Sequence, residues 1–176
     1  FSITNNMALN NSRVLLLAKF FSTVDFELEQ FAKEKININL NSFLGSYIEI
    51  FRTEGVYKGV DVYFEMKDKQ SVNVFASNYF QLAIVNVITN AIRYAASGTC
   101  VCIDVYLDKI IVRDLGIGIL PSERNLIFNE GYRGRDAKRT NEKGMGYGLF
   151  LTQKVLEAHG FDIDVDKLNQ KLFDWQ

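Results

Sequence analysis

The chain has 176 residues, 48% of them hydrophobic, with 20 basic against 21 acidic side chains and a net charge of −1. That is enough apolar material for one domain with its own core, and the charge lacks the basic excess of a nucleic-acid or membrane-surface binder, so no nucleic acid is expected as a partner. Cys100 and Cys102 fall on one face of a predicted strand. They are poorly placed for a mutual disulfide and too few for a zinc site, which fits a reducing compartment.

The first apolar run, Val14–Leu17 with Ala18, Phe20 and Phe21 around Lys19, is too short and interrupted to span a bilayer, and no signal-peptide cleavage site follows it. The start at Phe1 rather than Met leads us to expect a piece of a longer protein. Leu16, Phe20, Val24, Leu28 and Phe31 recur at helical spacing, predicting a helix from Asn10 to Glu34. A second helix is predicted over Ser42–Glu54, with Gly55 as its stop. Val60, Val62, Phe64 and Met66 alternate as a strand, and Val72 and Val74 repeat the pattern after Asp68-Lys69-Gln70. A long helix over Ser77–Ala96 follows. Val101, Ile103, Val105 and Leu107 form the next strand, and Asp108-Lys109 turns it into Ile110–Val112 as an antiparallel hairpin.

From Asp114 to Gly148 seven residues are glycine, and the only proline, Pro121, is here, the composition of functional loops with a short helix inside. A last helix over Tyr147–His159 is closed by Gly160, and Phe161, Ile163 and Val165 alternate as a final strand. This order predicts an α+β fold, a two-layer sandwich of a mixed β-sheet backed by helices.

Three stretches carry chemistry. The long helix is apolar almost all round, yet Asn86, Asn90 and Arg93 form one narrow polar stripe at spacings of four and three. Burying unsatisfied amides costs about 1–3 kcal/mol each, so the stripe faces either a satisfied polar network or a ligand cavity. Asp114-Leu-Gly-Ile-Gly118 puts a carboxylate and two glycines straight after a strand. Alone it is also a simple turn; as a site, the carboxylate accepts from an exocyclic amine such as that of adenine. Gly144-Met-Gly-Tyr-Gly-Leu149 runs into the last helix, where free N–H groups and the helix dipole suit phosphate oxygens, or where the glycines form a plain hinge. Between them, Arg133, Arg135, Lys138, Arg139 and Lys143 interleave with acids, as in a solvated loop or a mobile lid.

In order and spacing these stretches resemble the GHKL ATPase superfamily, and most of all bacterial-type histidine kinases. Asn86–Tyr94 resembles the N box, Asp114–Gly118 the first glycine box, Ile127–Gly134 the phenylalanine box and Gly144–Leu149 the second glycine box. The resemblance covers residues 36–165 and implies a Bergerat ATP-binding fold over residues 35–176, with ATP between the N-box helix and the lid. It implies that Asn90 ligates the Mg2+ that bridges the phosphates and that Asn86 supports that ion or the phosphates. Arg93 and Tyr94 line the phosphate, ribose or base region. Asp114 holds the adenine amine, with Gly116 and Gly118 shaping the base pocket. Gly144, Gly146 and Gly148, leading into Leu149, turn the backbone around the phosphates, and Arg133 and Lys143 contact them from the lid.

Family members that hydrolyse ATP or phosphorylate serine carry a glutamate base four residues before the magnesium asparagine. Here that position is Asn86, which cannot take a proton from water, whereas an imidazole acceptor already offers a lone pair. The resemblance therefore implies the cytoplasmic catalytic domain of a histidine kinase. Its acceptor histidine lies in upstream dimerisation helices, of which residues 1–34 are expected to form the end and the linker. The full-length protein is expected to be a homodimer, compatible with membrane attachment, that passes phosphate to a response regulator. The one histidine, His159, reads as a cation at a helix C-terminus. Gly131, Met145 and Tyr147 depart from the family's usual boxes, and Lys167–Gln176 lacks its usual Gly-Thr-x-Phe strand. These departures keep two alternatives in view, a degenerate nucleotide-binding or interaction module and a slow ATP hydrolase.

Overall fold

The computed structural model describes residues 33–140 and 144–165. The predicted helix before Glu34 therefore lies, but for its last two positions, outside the described residues, as does Lys143. The described part is an α+β sandwich. Strand β1 (Ile36–Asn39) leads directly into helix α1 (Leu40–Lys58), followed by β2 (Asp61–Met66), β3 (Asn73–Ala76), α2 (Asn78–Tyr94), β4 (Cys100–Val105) and β5 (Ile110–Asp114). Two 3-10 turns, Pro121–Glu123 and Leu126–Phe128, precede the short helix α3 (Arg135–Arg139), and α4 (Gly148–Ala158) ends the array.

β1 and β3 pair antiparallel, while β2, β4 and β5 form a mixed sheet with β4 in the middle, parallel to β2 and antiparallel to β5. A parallel pair needs a long crossover, and β3 with α2 supplies it. The register lines up Phe64, Ile103 and Val112 on one face, with Met66, Val105 and Ile110 beside them. Val101, Ile103 and Val105 are at most 1% exposed, so this is the face that the helices cover. On the other face Asp104 is buried under ion pairs to Arg113 and Lys67. Cys100 and Cys102 share that face with their sulfurs 3.9 Å apart, and burial pushes the Cys102 thiol up from its ordinary pKa.

α2 buries Ala83, Ile84, Val85, Ile88, Ala91 and Ile92 on nearly all sides because it is sandwiched between the sheet and the other helices. Ala83 meets Val155 across the contact with α4.

Four expectations change. α1 starts earlier and ends later than Ser42–Glu54: the Asn39 side chain caps its start by accepting the Ser42 N–H, and Gly59, at φ 69°, ends it. Gly55 is no stop but a point of close approach, where a Cβ would lie 2.4 Å from the Val60 carbonyl oxygen. Ile36-Asn-Ile-Asn39, to which the sequence reading assigned no element, is a strand. Residues 161–165 form no strand. His159 is no cation. Its Nε2 accepts the Ser77 backbone N–H at 2.9 Å, and its Nδ1 lies 2.7 Å from the Val155 carbonyl oxygen, which requires the neutral ring with its proton on Nδ1.

Candidate functional site

The polar stripe of α2 is held in place by its apolar neighbours, Ile88, Ala91 and Ile92, which lock the helix against the core. Asn86 and Asn90 lie one turn apart on it, and their surroundings differ. The Asn86 amide donates to the Thr152 hydroxyl at 2.9 Å, and Thr152 is buried. Gly148 rests on the same amide, where a Cβ would lie 2.7 Å from Asn86 Oδ1. Asn86 is thus the satisfied member of the stripe and ties α2 to the first turn of α4. Asn90 is half-buried, and its amide has no hydrogen-bond partner among the described residues. One helix therefore realises both readings of the stripe, a polar network at Asn86 and an open group at Asn90.

Strand alternation decides where Asp114 goes. It pairs with Val101, which places it on the helix-covered face, one position past the last apolar rung. There the chain leaves the sheet and crosses the end of α2. The Ala96 N–H donates to Leu115 O at 3.1 Å, the Ile117 N–H donates to Tyr94 O at 3.3 Å, and Ala95 bridges Gly116. A Cβ on Gly116 would lie 2.2 Å from Tyr94 O and 2.7 Å from Asp114 Oδ1, so only glycine fits the crossing. Asp114 is exposed at the strand end, with its Oδ1 beside Gly116. The protein around it raises its pKa above the ordinary carboxylate value, chiefly by withdrawing it from water, while the Gly116 N–H acts in the opposite sense.

Beside this crossing opens a cleft of about 340 Å³ lined by Lys58, Arg93, Tyr94, Gly116, Ile117 and Thr140, among others. The structure thus brings Arg93, Tyr94, Asp114 and Gly116 together. Gly118 stands in open space beyond them, at φ 67°. Gly146, at φ 80°, packs on the phenylalanine-box stretch so closely that a Cβ would lie 2.5 Å from the Gly131 carbonyl carbon. Gly144 has open space around it, and Gly148 and Leu149 begin α4, whose first N–H groups point back along the glycine stretch. The Arg133 guanidinium donates to the Ala137 carbonyl at 2.9 Å, a bond within the loop.

Three contributors escaped the sequence reading. Glu123 accepts from the Tyr132 hydroxyl at 3.1 Å and from the Arg135 N–H at 2.9 Å, gathering the loop around one carboxylate. The Tyr132 phenol is pushed above its ordinary pKa, first by burial and then by this carboxylate. Nothing in the pattern around Glu123 marks it. Thr152 was legible in principle, lying four residues after Gly148 and hence on the same helix face. Lys58 comes to the cleft from the far end of α1, a contact that only the fold creates.

The arrangement is a carboxylate beside a narrow crossing, an uncommitted amide one helix turn from a clamped one, and a glycine stretch feeding a helix N-terminus. Residues 76–172, more than half of the chain, match the family described as histidine kinase-, DNA gyrase B- and HSP90-like ATPases. The sensor protein SrrB of Staphylococcus aureus (strain MRSA252) is 30% identical over 101 residues, which cover 55% of this chain and 17% of SrrB. The chain spans less than a quarter of the length of the first curated relatives it matches. The cytoplasmic segment of histidine kinase QseC has the same fold, with a TM-score of 0.62 at 17% identity over 91% of this chain and 82% of that one. Full-length ShkA, solved in complex with AMPPNP, has a TM-score of 0.61 at 18% identity over 84% of this chain and 30% of that one. The box-bearing sequence, the sandwich and the family match agree: the chain belongs to the histidine kinase-, DNA gyrase B- and HSP90-like ATPase family.

Proposed function

We propose that this chain is the ATP-binding catalytic domain of a sensor histidine kinase, which transfers the γ-phosphoryl group of ATP to a histidine in upstream dimerisation helices. Residues 1–34 are the end of those helices, the full-length protein is a homodimer with this domain in the cytoplasm, and a response regulator receives the phosphate. The observation that carries the reading is Asn86. The position that holds a base in hydrolysing relatives has an amide here, and that amide is engaged by Thr152 beneath Gly148. Water therefore finds no proton acceptor at that position, whereas an imidazole nucleophile needs only to be positioned.

Asp114 accepts from the adenine amine, and Gly116 lets the base lie against the end of α2. Arg93 and Tyr94 line the nucleotide, and Gly144, Gly146 and Gly148 present backbone N–H groups to the phosphates. The α4 N-terminus adds its positive dipole end. Gly118 and Leu149 shape the two ends of the pocket, Lys143 reaches the phosphates from the lid, and Arg133 holds the lid's shape. Mg2+ prefers hard oxygen ligands and keeps several waters, and the open amide of Asn90 fits one such place. Among the described residues no group of three or more His, Cys, Asp or Glu could hold a metal ion. When bound, it neutralises phosphate charge. ShkA, part of which has the same fold, was solved in complex with AMPPNP, which supports a nucleotide as the ligand.

The test joins the chain to its native upstream helices and supplies labelled ATP. Acid-labile, base-stable label on the protein is the expected result. Multiple turnover to ADP without labelled protein would make the chain a hydrolase instead, and absence of nucleotide binding would make it an interaction module.

A further inference from the structure

His159 is the only histidine of the chain, and the site described above does not use it. It stands at the far end of the contact between α2 and α4. These helices run antiparallel: Asn86 in the middle of α2 meets Thr152 and Gly148 in the first turn of α4, while Ser77 at the start of α2 meets His159 at the end of α4.

Ser77 is the N-cap of α2, and it is 2% exposed, so its backbone N–H needs an acceptor inside the protein. In a capping box a Glu or Gln at the third helical position reaches back to that N–H. Here the third position is Phe80, which has no acceptor. His159 Nε2 takes its place from another helix. The ring is fixed on its other edge by the Val155 carbonyl oxygen and stacks parallel to Phe161, with centroids 6.3 Å apart, while Phe80 meets it at a 57° tilt at the same separation.

From this geometry we infer that His159 is a positioning residue for nucleotide binding, acting in its neutral form. By pinning the end of α4 to the start of the N-box helix, it sets how far along α2 the Gly148 turn comes to rest, and hence the spacing between that turn and Asn90. Protonation puts an N–H where Nε2 now accepts. Two donors then face each other, and the pin opens. The ring meets a backbone N–H from α2, a backbone carbonyl from α4 and the phenyl rings of Phe80 and Phe161. Among the described residues no charged side chain forms an ion pair with it.

The inference rests on the nucleotide-binding reading and is tested apart from it by two measurements on the full chain. The first is magnesium-ATP affinity across the interval from about pH 5 to pH 8, where an imidazole titrates. His159→Gln keeps an acceptor near the Nε2 position without a titrating proton, whereas His159→Asn reaches only as far as Nδ1. We expect wild-type affinity to fall roughly five- to tenfold as the ring is protonated, the size of one lost hydrogen bond. The Gln variant should bind like neutral wild type and lose the ring's share of the pH dependence, and the Asn variant should bind weakly throughout. The second is the Ser77 amide resonance, which should follow the His159 titration in wild type and stay flat in the Gln variant. Equal affinity of the Asn and Gln variants, or a Ser77 amide indifferent to the titration, overturns the inference. If wild type binds no ATP, the ATP-binding reading fails and the Ser77 amide alone decides whether the pin exists.

Discussion

The frame made by the sheet with α2 and α4 and the glycine-rich stretch from Leu115 to Tyr147 are held by different forces. In the frame, Ile88, Ile92, Val101, Ile103 and Val105 are at most 1% exposed. In the stretch, Ile127 is the only buried side chain among the described residues, while Leu115, Ile117, Leu126 and Met145 stand exposed. What order the stretch has comes from polar contacts with water close by, gathered on Glu123 and on the Arg133 bond to Ala137. Apolar burial is cooperative over the whole core, whereas such hydrogen bonds open locally at little cost. The frame can thus hold Asn86, Asn90 and Asp114 at fixed spacing while the stretch adapts to what binds beside it.

The largest expected effect breaks the frame. Ile92→Ala removes a fully buried side chain between helix and sheet, and should lower unfolding stability by about 2–5 kcal/mol in urea titration. A loss below roughly 1 kcal/mol would mean that the frame collapses around the cavity and is not the rigid half of the molecule.

The second prediction separates the two asparagines. Asn90→Ala should leave the melting temperature nearly unchanged and weaken magnesium-ATP binding about tenfold or more, because its amide is uncommitted in the protein. Asn86→Ala should cost about 1 kcal/mol of stability, because its amide is bonded to Thr152. Calorimetry and thermal unfolding on both variants check the pair; the reverse pattern would interchange their roles.

The smallest effect lies where frame and stretch meet. Asp114 is exposed as a residue, but the protein around its carboxyl partly withdraws that group from water and raises its folded-state pKa, so the folded protein holds this proton more tightly than the unfolded chain does. The charged carboxylate therefore costs stability at neutral pH. That cost falls away as pH drops through the raised pKa and is gone below the ordinary carboxylate range. Asp114→Asn should be slightly more stable than wild type at neutral pH, with the gap closing in acid, while ATP binding weakens. Thermal unfolding at neutral and acid pH measures this; a gap that does not change with pH would mean that the charge is not the cause.

Sequence by itself determined the elements whose pattern is local. The long apolar helix of α2, the alternation of β2, β4 and β5, the tight turn at Asp108-Lys109 and the glycine stretch were all legible, because helical and strand periodicity and turn chemistry act over a few neighbouring residues. Of the residues in the boxes, the fold brings Arg93, Tyr94, Asp114 and Gly116 together at the end of α2, and Gly148 against Asn86 in its middle. Sequence failed where the controlling contact is distant along the chain. Gly55 looked like a helix stop until Val60 and Val62 were seen to pack on it, and Ile36-Asn-Ile-Asn39 had no assigned element until β3 paired with it. His159 looked like a cation at a helix end until the Ser77 N–H was found on its ring. The difference between Asn86 and Asn90 was also invisible: the two share a residue type, a helix and a face. Only the packing of α4 gave one of them the Thr152 hydroxyl and left the other open, because a hydrogen-bond partner is a matter of distance in space, and a single sequence does not record it.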